Sequence, residues 1–212
     1  MDGKNLFAAT CVAISDWPIE PVDAIFFHGR GEGDFDGLFE IAENIWRESR
    51  ARIAINGLNG VEEAKKREGY LAPDSSFYIA GLIKLGVFSG DIVIGKPCLN
   101  TNEENDEFVK LAKANGWKSA VMIGQPHQVL REFLGAVQST KKFDYAMRLY
   151  CASPKSPPWF KEVFANISVN KRMQRIDFVF EEFERIIRYR KKGDLCSFEE
   201  FFEYMQNRDK IP

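Results

Sequence analysis

His28 and His127 are the only imidazoles in the chain, and each stands just after a short apolar run. Imidazole titrates near neutral pH, so either residue can move a proton under ordinary conditions. His28 leads into Gly29-Arg30-Gly31-Glu32-Gly33-Asp34. Glycines there let backbone N–H groups approach a phosphate or carboxylate, and Arg30 adds a cation. His127 lies in Gly124-Gln125-Pro126-His127-Gln128, with Arg131 one helical turn later. Two more segments are of the same kind: Asn56-Gly57-Leu58-Asn59-Gly60, and the stretch from Lys96 through Cys98-Leu99 to Asn100-Thr101-Asn102-Glu103-Glu104-Asn105. Glu103 facing a cleft can serve as a general base. Asn102 and Asn105 are poor helix formers that nothing local asks for. The structural alternatives are an ordinary strand-to-helix turn for the glycine loop and a first-turn glutamate complementing the helix dipole for Glu103. Thr101 and Glu104 have capping-box spacing, so both can simply start a helix.

The elements that must position these residues follow from the apolar pattern. Short apolar runs occur at 24–27, 53–55, 92–94, 120–123 and 145–150. The first four are continuous rather than alternating, as in strands buried on both faces. Helical spacing fills 38–50, 77–85 and 103–115, and Gly86 and Gly116 stand where C-cap glycines belong. This alternation predicts right-handed crossovers and a parallel sheet, with the direction of the fifth run open. Ligands of such sheets bind beyond the carboxyl ends of the strands, where all four polar segments fall. Residues 6–14 predict a helix that covers the sheet. Pro154, Pro157 and Pro158 then interrupt regular structure, and Ile176, Val179, Phe180, Phe183 and Ile187 form an apolar helical stripe ending at Gly193. Ser197-Phe198-Glu199-Glu200 is a capping box opening a last helix. The organisation expected is an α/β core over residues 1–152 and a helical C-terminal extension over 153–212, packed on the core as a lid or flank.

Composition narrows the function. The 212 residues are 45% hydrophobic with a formal charge of −2, unlike the basic footprint of a duplex-binding protein. No apolar run approaches the roughly 20 residues that span a bilayer. Cys11, Cys98, Cys151 and Cys196 are widely spaced and read as reduced packing thiols, and no convincing cleavage site follows the first apolar run. A cytoplasmic protein is expected. The histidines lack metal-ligand spacing, so no metal is expected. The first loop has Asp34 where the dinucleotide fingerprint needs glycine, which argues against classical NAD binding. Neither a G-x-S-x-G elbow nor a Walker loop is present. Any cofactor is left open.

At these residues the chain resembles the YdcF-like family, which includes SanA- and ElyC-type envelope proteins. Asp23 through Gly29 resembles its first strand and glycine loop, and Asn56-Gly57 stands where Ser-Gly is common. Asn100 through Asn105 is similar to its N-T-x-E-N motif. Gln125-Pro126 through Leu130-Arg131-Glu132-Phe133 resembles the Q-P-F-H-Q-L-R-x-F motif of its short soluble branch. The tail from Glu184 to Asp209 is also similar to that branch. Aligned on Leu130-Arg131, the family histidine falls on Gln128, one residue after His127, and one residue turns a helical side chain by about 100°. Asp74 stands near a position where the family often has glutamate. The resemblance implies a Rossmann-like α/β fold, an open, mostly parallel sheet with helices on both faces, and a cleft at its carboxyl edge. It does not supply a reaction.

The function expected is binding of a small anionic ligand (phosphorylated, nucleotide-like or S-adenosyl), with hydrolase or transferase chemistry. Gly29, Arg30, Gly31 and Arg131 would hold the anion. Asn56, Gly57, Thr101, Asn102, Asn105, Gln125 and Gln128 would orient the ligand, and His28, Glu103 or His127 would move protons. The rivals are a non-catalytic ligand sensor and an interaction module that docks a protein partner through Phe198, Phe201 and Phe202, rings for which core burial is the structural alternative.

Overall fold

The computed structural model of the chain describes residues 3–31, 33–57, 73–98, 100–164 and 172–211, so the readings at Glu32, Leu58, Asn59, Gly60 and Leu99 lie outside the described residues. Strand β1 (Ala24–Phe27) and the later strand β4 (Ser119–Ile123) are buried at every position, as continuous apolar runs require. With β2 (Arg52–Ile55), β3 (Ile92–Ile94) and β5 (Arg148–Ala152) they make one sheet in the order β3-β2-β1-β4-β5. All four pairings are parallel, which settles the direction of the fifth run. Phe27 lies level with Ile55 on one side and Ile123 on the other, and Ile123 is level with Ala152. The loops after these strands therefore leave from one edge.

Alternate strand residues feed two cores. Ala24, Phe26, Ala54, Met122, Leu149 and Cys151 face a cluster built with α1 (Gly3–Ser15), α4 (Thr101–Asn115) and α5 (Val129–Lys142). Ile25, Phe27, Ile53, Val121 and Tyr150 face α2 (Leu38–Ser49) and α3 (Ser75–Lys84) on the other side. The chain is thus an α/β protein with helices on both faces of a parallel sheet. The first crossover carries β1 toward β2, while β4 lies on the opposite side of β1. The two directions part between β1 and β4, where such sheets open a crevice.

After β5 come a two-stranded antiparallel ribbon, β6 (Glu162–Val163) and β7 (Met173–Gln174), then α6 (Phe178–Lys192) and α7 (Phe198–Asn207). The capping box at Ser197 and Glu200 is formed. Ile186, Leu195, Phe198 and Phe201 belong to the same core cluster as α1, α4 and α5. One rival reading and one expectation fail here. Phe198 and Phe201 are core residues, 2% and 0% exposed, rather than a docking surface. The stripe read on α6 is not its inner face: Phe180 is 74% exposed, and the buried residues are Phe178, Glu182, Arg185 and Ile186. Among the described residues, no helix is long and apolar enough to cross a membrane.

The outer edge of β5 is sealed by side chains. The Tyr204 hydroxyl accepts from the Leu149 N–H (2.6 Å) and donates to the Met147 carbonyl (2.8 Å). Asp16 accepts from the Cys151 N–H at 2.8 Å, and Arg208 donates to the Leu149 carbonyl at 3.2 Å. Arg208 also pairs with Asp16 at 2.8 Å. An open edge is a template for pairing with another chain, and this one is covered without a further strand. Tyr204→Phe keeps the ring but strands two backbone groups, which costs about 1–3 kcal/mol. Thermal melts are expected to show this as a lower Tm, at about 2–4 °C per kcal/mol for a chain of this length.

Candidate functional site: a buried polar cluster over β1 and β4

Glu132, in the first turn of α5, organises a buried polar cluster where the sheet reverses its winding. Its carboxylate pairs with the Arg30 guanidinium at 2.8 Å, with side-chain exposures of 2% and 0%. Arg30 Nη2 also donates to the Ile123 carbonyl at 3.4 Å, and the Tyr78 hydroxyl accepts from the Arg30 backbone N–H at 2.9 Å. Only glycine fits at 124, because a Cβ there would lie 2.2 Å from Glu132 Oε2. His28, 1% exposed, bonds Asn105 Oδ1 through Nε2 at 2.9 Å, and its Nδ1 lies 3.7 Å from Glu132 Oε2. Asn105 Nδ2 donates to the Glu132 carbonyl at 3.4 Å. That bond turns Oδ1 toward His28, so Nε2 carries a proton.

Helix α4 starts one residue earlier than its capping-box pattern predicts, and this corrects the assignment of its acids. Asn100 is the N-cap: it accepts from the Glu103 N–H (3.0 Å) and donates to Glu103 Oε1 (2.8 Å). Glu103, read as a general base facing a cleft, is therefore exposed, and Glu104 faces inward at 5% exposure. Glu104 accepts from the Gly29 N–H and from Asn56 Nδ2, both at 2.6 Å. Burial pushes its carboxyl up, opposed by His28 and by these hydrogen bonds. The Gly29 N–H, read as an anion ligand, thus already holds an internal carboxylate. Gly31 meets the extension instead, since a Cβ there would lie 1.5 Å from the Phe164 carbonyl oxygen. Gly57 packs against the Gly95 carbonyl, and Asp74 caps α3.

A second group of charges ties the first loop to the extension. Arg175, wholly buried, reaches Asp34 at 3.0 Å, Asp36 at 2.5 Å and the Pro158 carbonyl at 2.8 Å. Burial pushes the Asp34 carboxyl up to about 6, against the pull of Arg30 and Arg175. His127 is stacked against Phe178 and lies edge-on to Trp159, with Nε2 at 3.9 Å from Asp34 Oδ2. Burial, reinforced by Arg30, Arg175, Arg131 and Arg185, holds the His127 pKa well below its usual value, so the ring is neutral. Gln125 Nε2 donates to the carbonyls of Asp36 (3.1 Å) and Asp34 (3.4 Å). Gln128 is buried at the N-cap of α5, and Asn102 is half-buried in the first turn of α4. Arg131, read as an anion holder, is turned to Glu182 of α6 and to the Thr101 hydroxyl (2.9 Å). Glu182 also takes Arg185 at 2.6 Å.

Sequence reasoning missed Glu132, Glu182, Arg175 and Arg185 as partners, for Arg30 and Glu132 are 102 residues apart. One local signal was available: Glu132 stands among Val129, Leu130, Phe133 and Leu134, and a charge on an apolar face needs a buried partner. Cys98, Cys151 and Cys196 are buried thiols, and burial, with Glu104, Glu107 and Glu103 nearby, pushes Cys98 up to about 12. Among the described residues, no group of three or more His, Cys, Asp or Glu is arranged to hold a metal.

Nine buried side-chain nitrogen or oxygen atoms among the described residues have no hydrogen-bond partner, and seven lie in this cluster. They are His28 Nδ1, Arg30 Nε and Nη1, Asp34 Oδ2, Gln125 Oε1 and both ring nitrogens of His127. Native folds leave few such atoms, and a concentration of them asks for an explanation. The set offers donors from Arg30, acceptors from Asp34 and Gln125, and one of each from neutral His127. No protein-family model matches the chain, and no curated protein matches it either.

Two outcomes are expected. Glu132→Gln leaves the Arg30 charge without its carboxylate and costs about 3–5 kcal/mol in chemical denaturation, whereas Glu103→Gln at the surface melts close to wild type. Asp34 is the pH-dependent element. Its folded pKa, about 6, exceeds the unfolded value of 3.8, so the fold holds the proton more tightly. The stability of wild type relative to Asp34→Asn therefore declines as pH rises from about 4 to about 6, then levels. Denaturation curves of both proteins across that range check the sign.

Proposed function

We propose that this chain is a YdcF-like protein that binds a small anionic ligand, phosphorylated, nucleotide-like or S-adenosyl, over the carboxyl ends of β1 and β4. It acts on that ligand as a hydrolase or transferase. The observation that carries the reading is the concentration of unpartnered buried atoms on Arg30, Asp34, Gln125, His28 and His127. Arg30 presents N–H donors that its pairing with Glu132 does not use, and they suit an anionic oxygen. Asp34 Oδ2 and Gln125 Oε1 accept from hydroxyl or amine groups of the same ligand. Neutral His127 takes a proton from the attacking water or acceptor hydroxyl, and Asp34 steadies the resulting imidazolium. The resemblance adds support, because Gln125 and Glu132 from one motif-like segment and Glu104 and Asn105 from the other all face this cluster. Ligand entry requires the covering residues Trp159, Phe164 and Phe178 to give way.

His127 makes the test specific. Its ring nitrogens bond nothing in the free protein, so His127→Leu is expected to leave the melting temperature equal or higher. A thermal-shift screen of nucleotides, sugar phosphates, S-adenosyl compounds and inorganic phosphate is run on both proteins. A ligand at about 100 times its Kd contributes about 2.7 kcal/mol, or roughly 5–10 °C here. A shift in wild type that disappears in His127→Leu is the expected result. No shift with any compound, or one unchanged in the variant, overturns the reading. Product analysis with the best ligand then separates a hydrolase or transferase from a sensor that binds without turnover.

A further inference from the structure

The C-terminal helices expose a different surface from the aromatic one their sequence suggests. Between the end of α5, the end of α6 and the turn into α7 lies an open groove of about 490 Å³. Its floor includes Ile187 and Leu195, and its walls carry Lys141, Arg190 and Lys191. The acid in the wall, Glu200, is already paired with Lys141, which holds its carboxyl below the usual range. Arg190 is placed rather than free to wander: its guanidinium stacks on the Phe198 ring at 4.0 Å. Arg190 Nε is one of the two unpartnered buried atoms outside the β1–β4 cluster. Arg188 and Lys192 extend the positive character along the same helix.

We propose that this groove is a docking site for an acidic peptide segment of a partner protein, with an apolar side chain set between carboxylates. The charges of the lining leave an excess of two cations, Arg190 and Lys191, on opposite terms with the single spent acid. Arginine held in place is the usual reader of carboxylate-bearing segments, because its fork is oriented before the partner arrives. A bare phosphate would engage the cations and leave Ile187 and Leu195 uncovered. A nucleic acid would look for an open aromatic face, and Phe198 lies beneath Arg190. A peptide that brackets an apolar residue with acids satisfies both the floor and the walls.

The test pans a displayed library of random heptapeptides against the full chain and measures selected peptides by fluorescence anisotropy. Lys191 is exposed, so Lys191→Glu reverses the local charge without touching the core, and unchanged melting verifies this. Sequences combining acidic and apolar residues are expected, binding about tenfold or more weakly to Lys191→Glu and more weakly to Arg190→Gln. Selection without acidic enrichment, or equal affinity for wild type and Lys191→Glu, overturns the proposal. Displacement of the peptide by pyrophosphate at comparable concentration assigns the groove to a phosphorylated small molecule and also overturns it. The groove is remote from the His127 variant, so its failure and that of the ligand reading are read separately.

Discussion

Arg30 and Glu132 meet with almost no exposure to solvent, at the point where the sheet reverses its winding. Removing two charges from water costs several kcal/mol per ion, and their attraction offsets this only when geometry and remaining hydrogen bonds are complete. That demand propagates through the buried cluster. It excludes a side chain at Gly124, turns Asn105 so that its Oδ1 meets His28 Nε2, and leads the Arg30 backbone to the Tyr78 hydroxyl. The next charges obey the same condition, with Arg175 on Asp34 and Arg131 on Glu182. The extension is consequently fixed to the core by ionic geometry at the carboxyl edge and by apolar packing around Phe198 and Phe201 elsewhere.

How far the sequence could be read depended on the range of the interaction that decided each feature. Runs such as 24–27 and 120–123 announce buried parallel strands because every side chain must be apolar, a property of the run itself. Glycines and amides likewise mark the loops at the carboxyl edge. The choice between Glu103 and Glu104 was not legible in this way. The N-cap of α4 at Asn100, not Thr101, goes with the contacts of Glu104 to Gly29 and Asn56, which are 75 and 48 residues away. Helix α6 failed for a related reason: its inner face carries Glu182 and Arg185 because Arg131 waits there. A hydrophobic stripe cannot reveal a helix that buries charge against charge.

The same cluster holds deeply buried ion pairs and, among the described residues, most of the unsatisfied buried polar atoms. Places where local rules are broken while their surroundings are rigorously completed are where function is to be sought in a fold. Glu132 fixes Arg30 from one side and leaves Nε and Nη1 unused, so the guanidinium is oriented before anything binds it. The neutral state of His127 follows from burial among cations, and both of its ring nitrogens are left without a hydrogen-bond partner.

The sealed edge of β5 also has a history in time. Leu149 and its partner Tyr204 are separated by 55 residues, and Arg208 comes later still. At about 5–20 residues per second, a ribosome needs roughly 3–11 seconds between making that edge and making the groups that close it. During that interval the groups that close this edge from α7 onward do not yet exist, while Asp16 of α1 has already been made. Protection of this edge against association therefore comes well after the edge itself is made, and until then early solubility depends on whatever accompanies the emerging chain.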